Sequence, residues 1–323
     1  MSEGEDRRHP RNLQGLLRFC TENTEAEDST RPTDASLIDP ERREWLEQAL
    51  ESMTVSVVEE MEKCLQILRN GINDEKADDD VFAEQKVALE KLLNFVDSID
   101  HAIDFHKLGG FSVLQSLLRE PDTEVKALTA ELVAELVQNN PYCQKVAIEH
   151  HLVVTLLNVL DHDPDELVKV KALYAISCLC RQCSEAQQVM EKTDGFSVLL
   201  RALQSPAEKL KIKTCFLLSN LCSQEPAFRE LLFKMGFVEQ LAAILQTEHN
   251  RSHEHLMSAL LALVSEHEQA QEECHRPELG LKNLLENRLK LLEGKEEFQE
   301  ELYYCQQLLN LCFNQSLEQP LER

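Results

Sequence analysis

Gly195-Phe196-Ser197-Val198-Leu199-Leu200-Arg201-Ala202 decides how this chain is built, because its opening recurs along the sequence. Gly110-Phe111-Ser112-Val113-Leu114, His151-Leu152-Val153-Val154-Thr155 and Gly236-Phe237-Val238-Glu239-Gln240 begin alike, and Gly280-Leu281-Lys282-Asn283-Leu284 is a weaker fifth. The Phe/Leu positions lie 41, 44, 41 and 44 residues apart, a period of helical solenoid repeats. Each opening leads into a leucine-rich helix, a short polar break and a second helix. The second helices carry Val125-Lys126-Ala127-Leu128, Val170-Lys171-Ala172-Leu173 and Ile212-Lys213-Thr214-Cys215. No such unit buries its apolar face alone, so neighbours must stack. The expectation is an all-α, armadillo-type helical repeat solenoid, wound as a right-handed superhelix, over residues 109–295.

Outward from the repeats, helices over 41–108 are expected to cap the array at one end and a helix with a tail over 296–323 at the other. Asp39-Pro40 reads as an N-cap with proline at the first helical position. A helix should run from Glu41 to Arg69, stopped by Asn70-Gly71, and another from Val81 to Lys107. Its buried side would carry Leu89, Leu92, Leu93, Val96, Ile99 and Ile103. In the last helix Leu302, Cys305, Leu308, Leu309 and Leu311 are available for burial, with Glu300, Glu301 and Gln306 on the solvent face. Residues 1–40 mix Ser, Thr, Asp, Glu and Pro and read as disordered, except for an island with Leu13, Leu16, Leu17 and Phe19 between Arg11 and Arg18.

Composition narrows the function. Of 323 residues 28% are charged and 43% hydrophobic, with only nine glycines and ten prolines, which favours helices. A formal net charge of -25 argues against nucleic acid and against an anionic membrane surface. No stretch approaches the roughly 20 apolar residues of a membrane span. The acidic opening Met1-Ser2-Glu3-Gly4-Glu5-Asp6 lacks the apolar core of a signal peptide, and eleven cysteines without one point to reduced thiols in cytosol or nucleus.

Catalytic signatures are missing: no glycine-rich phosphate loop, nucleophile elbow or His-Glu-x-x-His motif occurs. Cys178-x-Cys180-x-x-Cys183 has no evident fourth ligand and reads as small buried apolar residues on a repeat helix. His249, His253 and His255 read as exposed histidines at a helix start. The expectation is a non-enzyme without metal or cofactor, monomeric because the array is capped.

Stacking the second helices puts Lys126, Lys171, Lys213 and His255 in one register, followed three residues later by Thr129, Tyr174, Phe216 and Ser258. In a solenoid such positions form a column, here cationic and aromatic in an acidic chain. It suits an interface with an acidic patch.

Arg11-Asn12-Leu13-Gln14-Gly15-Leu16-Leu17, Val168-Lys169-Val170-Lys171-Ala172-Leu173-Tyr174, Asp194-Gly195-Phe196-Ser197-Val198-Leu199, His253-Glu254-His255-Leu256 and Pro277-Glu278-Leu279-Gly280-Leu281 closely resemble the heat-shock protein 70 binding family of armadillo-type nucleotide exchange factors. The resemblance covers nearly the whole chain. It implies a co-chaperone that grips the chaperone's ATPase domain in its concave face and lets ADP leave, with an armadillo adaptor that recruits or inhibits without exchange as the alternative. By the same resemblance, contacts fall on Asp100, His101 and Ala102, where a bulky side chain would block docking, and on Lys213. Lys126, Lys171, Tyr174, Phe216, Glu254 and His255 are added as flanking contacts. The island with Leu13, Leu16, Leu17 and Phe19 would mimic a chaperone substrate and help release it. An import-carrier or catenin ladder of Trp and Asn is excluded, because Trp45 is the single tryptophan. Gln319-Pro320-Leu321-Glu322-Arg323 is not a lumenal retention signal.

Overall fold

The computed structural model describes residues 56–73 and 78–313. The chain divides into two units, Met1–Glu60 and Met61–Arg323; of the first, only residues 56–60 are described. The island with Leu13, Leu16, Leu17 and Phe19, the helix start at Asp39-Pro40 and the tail from residue 314 therefore lie outside the described residues. Among those described, every regular element is helical, and no helix is long and apolar enough to cross a membrane.

Helix α1 (Val57–Ile72) buries Met61, Cys64, Leu65 and Leu68. Gly71, expected to stop it, lies inside the helix as a close-packing residue: a Cβ there would come 2.5 Å from Gln85 Nε2. The single helix expected over Val81 to Lys107 is two, α2 (Asp79–Phe95) and α3 (Ile99–Lys107). Asp78 caps α2 by accepting from the Val81 amide. Asp97 and Ser98 break the run, since such side chains favour caps and turns over helix interiors, and Ser98 is extended as the N-cap of α3. The break rotates α3, leaving Ile99 57% exposed and turning Ala102 and Phe105 inward.

From α3 onward each unit has three helices, where the sequence suggested two. They are α3, α4 (Phe111–Leu117) and α5 (Thr123–Val137); α6 (Pro141–Glu149), α7 (Leu152–His162) and α8 (Glu166–Cys180); and α9 (Ser184–Lys192), α10 (Gly195–Gln204) and α11 (Glu208–Gln224). Then follow α12 (Pro226–Lys234), α13 (Phe237–Leu245) and α14 (Ser252–Val264), and finally α15 (Glu268–Cys274), α16 (Leu281–Leu292) and α17 (Gln299–Phe313). The overlooked first helices are short but well signalled. Asn140 accepts from the Cys143 amide ahead of Pro141, and Pro226 opens α12 at the position where proline's missing N–H costs nothing.

The recurring Gly-Phe openings now have a cause. A left-handed residue turns the first helix into the second: Gly109 (φ 75°), His151 (55°), Asp194 (58°), Gly236 (78°) and Gly280 (56°). Glycine takes this conformation without strain, and short polar side chains tolerate it. The apolar residue that opens the second helix, Phe111, Leu152, Phe196, Phe237 or Leu281, is then driven into the core. Asp122 and Asp165 cap the third helices. Where third helices end, a side chain seven residues further on takes the last-turn carbonyl: Gln187 that of Cys180, Arg229 that of Cys222 and Gln271 that of Val264.

The long helices form one layer of the array. α2, α5, α8, α11, α14 and α17 pack each on the next, so that equivalent positions recur along one continuous face.

Candidate partner-binding face

The first-helix caps Asn140, Cys183, Glu225 and His267 fix the true register of this face, with steps of 43, 42 and 42 residues. Lys171, Lys213 and His255 fall in one column, and the first-unit residue aligned with them is Leu128. Lys126 belongs to a different column, with Lys169, Lys211 and His253. The structure thus corrects the sequence alignment by two residues. Lys126 is buried and ion-paired with Asp163, both side chains almost wholly out of solvent, and Thr129 is buried with its hydroxyl donating to the Val125 carbonyl. Neither can reach a partner.

The remaining column is ordered by a repeated contact. Lys171 Nζ lies 2.6 Å from Glu131 Oε1 on the preceding helix, Lys213 Nζ sits 5.0 Å from the centroid of the Tyr174 ring, and the His255 ring centroid is 4.7 Å from that of Phe216. Glu131, Tyr174 and Phe216 are themselves equivalent positions. Each basic or imidazole side chain therefore leans on the same site of the unit before it, first as an ion pair, then as a cation over an aromatic face, then as two rings. Such support restricts long side chains that would otherwise wander.

Phe216 is 57% exposed, while Lys171, Tyr174, Lys213, Glu254 and His255 are half-buried. Burial, reinforced by Cys178 and Glu135, pushes the Tyr174 hydroxyl up to about 12, so it stays protonated and donates to Gln138 Oε1 at 3.2 Å. A groove of ≈ 570 Å³ opens between α8 and α11, lined by Leu167, Val170, Lys171, Tyr174, Lys209 and Lys213 with Asp165 and Glu166 at its edge. With Lys171, Lys209 and Lys213 in its lining, this is a cationic band with apolar footing in a chain of net charge -25. At its far end burial, aided by Glu300 and Glu301, raises the Glu254 carboxyl above its ordinary range, and burial lowers His255. Leu167, Lys209 and Glu131 were not anticipated; cap-based register, which places Glu131 opposite Tyr174, is the signal that would have found them.

The other site expectations fall elsewhere. Asp100 is exposed in the first turn of α3, and His101 Nδ1 lies 3.0 Å from the Phe95 carbonyl. Ala102 is 1% exposed, and its carbonyl accepts from Cys143 Sγ of α6, so it packs units together and offers no docking surface. A first helix carries all three, outside the third-helix column. Cys178, Cys180 and Cys183 are buried, and burial pushes Cys180 up to about 12. Of the three histidines expected to be exposed, His253 is wholly buried, held by Arg288, and His249 binds Glu301. Glu301, expected in solvent, is 1% exposed.

Fold and face together define an armadillo-type repeat protein with a cationic, aromatic-bearing layer of third helices. A designed armadillo repeat protein superposes with a TM-score of 0.61 at 19% identity, covering 77% of this chain and 99% of its own. Residues 101–231 match the SIL1/FES1/HPBP1 C-terminal domain, and residues 13–105 match the model described as nucleotide exchange factor Fes1. The chain is 38% identical over 323 residues to Hsp70-binding protein 1 of Macaca fascicularis, covering 98% of this chain and 88% of that protein. It is also 32% identical over 143 residues to the Hsp70 nucleotide exchange factor FES1 of Mycosarcoma maydis, covering 44% and 36% of the two chains. The chain belongs to the Hsp70-binding protein 1 family.

Proposed function

We propose that this protein is a nucleotide exchange factor for heat-shock protein 70 chaperones, gripping the chaperone's ATPase domain with the third-helix face and promoting ADP release. The observation that carries the reading is the supported row Lys171, Tyr174, Lys213, Phe216 and His255, on a chain that aligns along 98% of its length with a relative named Hsp70-binding protein 1. A factor of this kind performs no covalent chemistry. It must bind the open ATPase domain more tightly than the closed one, or the equilibrium would not move. A rigid array suits that task, because a face held in place by packed units cannot bend to fit both forms equally. The cationic groove between α8 and α11 takes an acidic patch, and exposed Phe216 supplies an aromatic anchor beside it.

The same reading gives the segment with Leu13, Leu16, Leu17 and Phe19 a role. Tethered to the bound array, it competes weakly for the chaperone's peptide groove, the tether raising its local concentration. The site of action is the cytosol or nucleus, a reading supported by ten described cysteines that are buried and unbridged. The protein acts as a monomer, one capped array per chaperone.

The test loads the chaperone's ATPase domain with fluorescent ADP, chases with ATP and follows release. Acceleration by the full chain, lost in Lys213→Glu, is expected. Binding without acceleration would make the protein an adaptor, and no binding would refute the reading.

A further inference from the structure

We propose that Arg288 and Glu301, buried in the last two helices, are positioning residues that set Glu254 and His255 on the binding face. The inference rests on the reading that the third-helix face meets the chaperone.

His253 is wholly buried and immediately precedes two half-buried residues of α14, Glu254 and His255, the latter against Phe216. Where His253 is held therefore decides where its two successors point. It is held from behind. Arg288 of α16 donates from Nη2 to His253 Nδ1 at 3.1 Å and from Nη1 to Glu301 Oε1 at 2.7 Å. The other oxygen of Glu301, on α17, lies 2.9 Å from Nε2 of His249, in the segment leading into α14. The His249 ring then stands edge-on to His253, centroids 5.4 Å apart, and rests against Phe298 at 5.4 Å. The four groups close a ring from the approach to α14, through both terminal helices, back into its first turn.

The chemistry of the ring is directional. An arginine can only donate, so His253 Nδ1 must present its lone pair and the proton sits on Nε2. The guanidinium fork spaces His253 and Glu301 at a fixed angle, which a flexible ammonium would not do. Buried ion pairs of this kind contribute little to stability over apolar residues of similar volume; fixing one arrangement is the better-supported use. α17 contributes on its outer side as well: Glu300, next to Glu301, acts on the Glu254 carboxyl and helps to raise it. The last rung of the face is thus built from two helices, and the clasp sets their relative position.

The experiment compares the full chain with Arg288→Met/Glu301→Leu, which leaves no lone buried charge, in titrations of the chaperone's ATPase domain. Binding is expected to weaken about tenfold, and less than twofold when the same pair is changed in a Glu254→Ala/His255→Ala background. Unchanged affinity in the folded variant, or equal weakening in both backgrounds, overturns the proposal. A measurement without partner separates it from the functional reading. The ring resonances of His255, shifted by Phe216, should move in that variant and also in Arg288→Lys, while those of His151 stay in place. Stationary His255 resonances would sink the positioning role even if the chaperone binds. Moved resonances, with Lys213→Glu leaving chaperone binding unchanged, would instead refute the face.

Discussion

Asp163→Ala is the sharpest probe of how charge is used in this array. Lys126 and Asp163 form an ion pair whose side chains retain 11% and 6% of their exposure, and Asp163 also accepts from the Asp165 amide at 2.9 Å. Removing the carboxylate leaves an ammonium in a nearly dry site and takes one hydrogen bond from the turn into α8. Breaking a buried pair from one side costs about 3–5 kcal/mol, against about 0–1 kcal/mol for an exposed pair. For an array of this size that is a fall in melting temperature on the order of 10 °C. Thermal denaturation followed by circular dichroism reads it directly. Lys126→Met/Asp163→Leu should recover most of the loss, because two apolar side chains need no partner. Affinity for the chaperone's ATPase domain should change less than twofold in the folded double variant. A melting temperature lowered by under 2 °C in Asp163→Ala, together with clearly weaker binding in Lys126→Met/Asp163→Leu, would refute the reasoning and return Lys126 to the face.

Other outcomes follow from the same geometry. Ala102→Leu forces methylenes between α3 and α6 and should cost about 1–3 kcal/mol of stability with unchanged binding by the folded protein; lost binding at an unchanged melting temperature would contradict this. Burial, with Arg288, His249 and Lys211 nearby, lowers His253 to about 4. Unfolded, the same group takes up its proton near pH 6.5, so the unfolded state binds more protons between these values and stability falls as pH drops from 6.5 toward 4, by up to about 3 kcal/mol. His253→Gln should flatten that slope in chemical denaturation at pH 7 and pH 4.5, and an unaltered slope would exclude His253 as its source. Phe216→Ala should weaken binding by about 1–2 kcal/mol in calorimetric titration through loss of an exposed aromatic anchor, and an unchanged affinity would remove Phe216 from the interface.

The repeat was legible because its signal is a backbone requirement. A left-handed residue with a buried Phe or Leu one or two positions later recurs wherever a first helix turns into a second, so Gly109-Gly110-Phe111 and Gly236-Phe237 stand out in the bare sequence. The column was only half legible. Val125-Lys126-Ala127 matches Val170-Lys171-Ala172 as a string, yet the caps align Lys126 with Lys169, because helices are registered by where they start and not by the longest local likeness. Lys171, Lys213 and His255 survived because their units differ by 42 residues throughout. The first helices from α6 onward went unread although Asn140-Pro141 and Glu225-Pro226 mark two of them, since seven to nine residues carry too little periodicity against their neighbours. Ala102 and Glu301 failed for a common reason. Burial of an individual position depends on the rotation of its helix, which the break at Asp97-Ser98 reset for one and Arg288 across the array decided for the other.

The central claim is that this face prefers the chaperone's ATPase domain with its nucleotide cleft open. It is tested most directly by measuring the dissociation constant of the full chain for that domain without nucleotide and with saturating ADP. Linkage requires the two constants to differ by the same factor by which this protein weakens ADP binding, and coupling energies of about 1–3 kcal/mol make that factor roughly 5- to 150-fold. Tighter binding to the nucleotide-free domain, with the difference reduced in Lys213→Glu, is the predicted result. Equal affinity for the two forms would contradict the account, however tightly the protein bound.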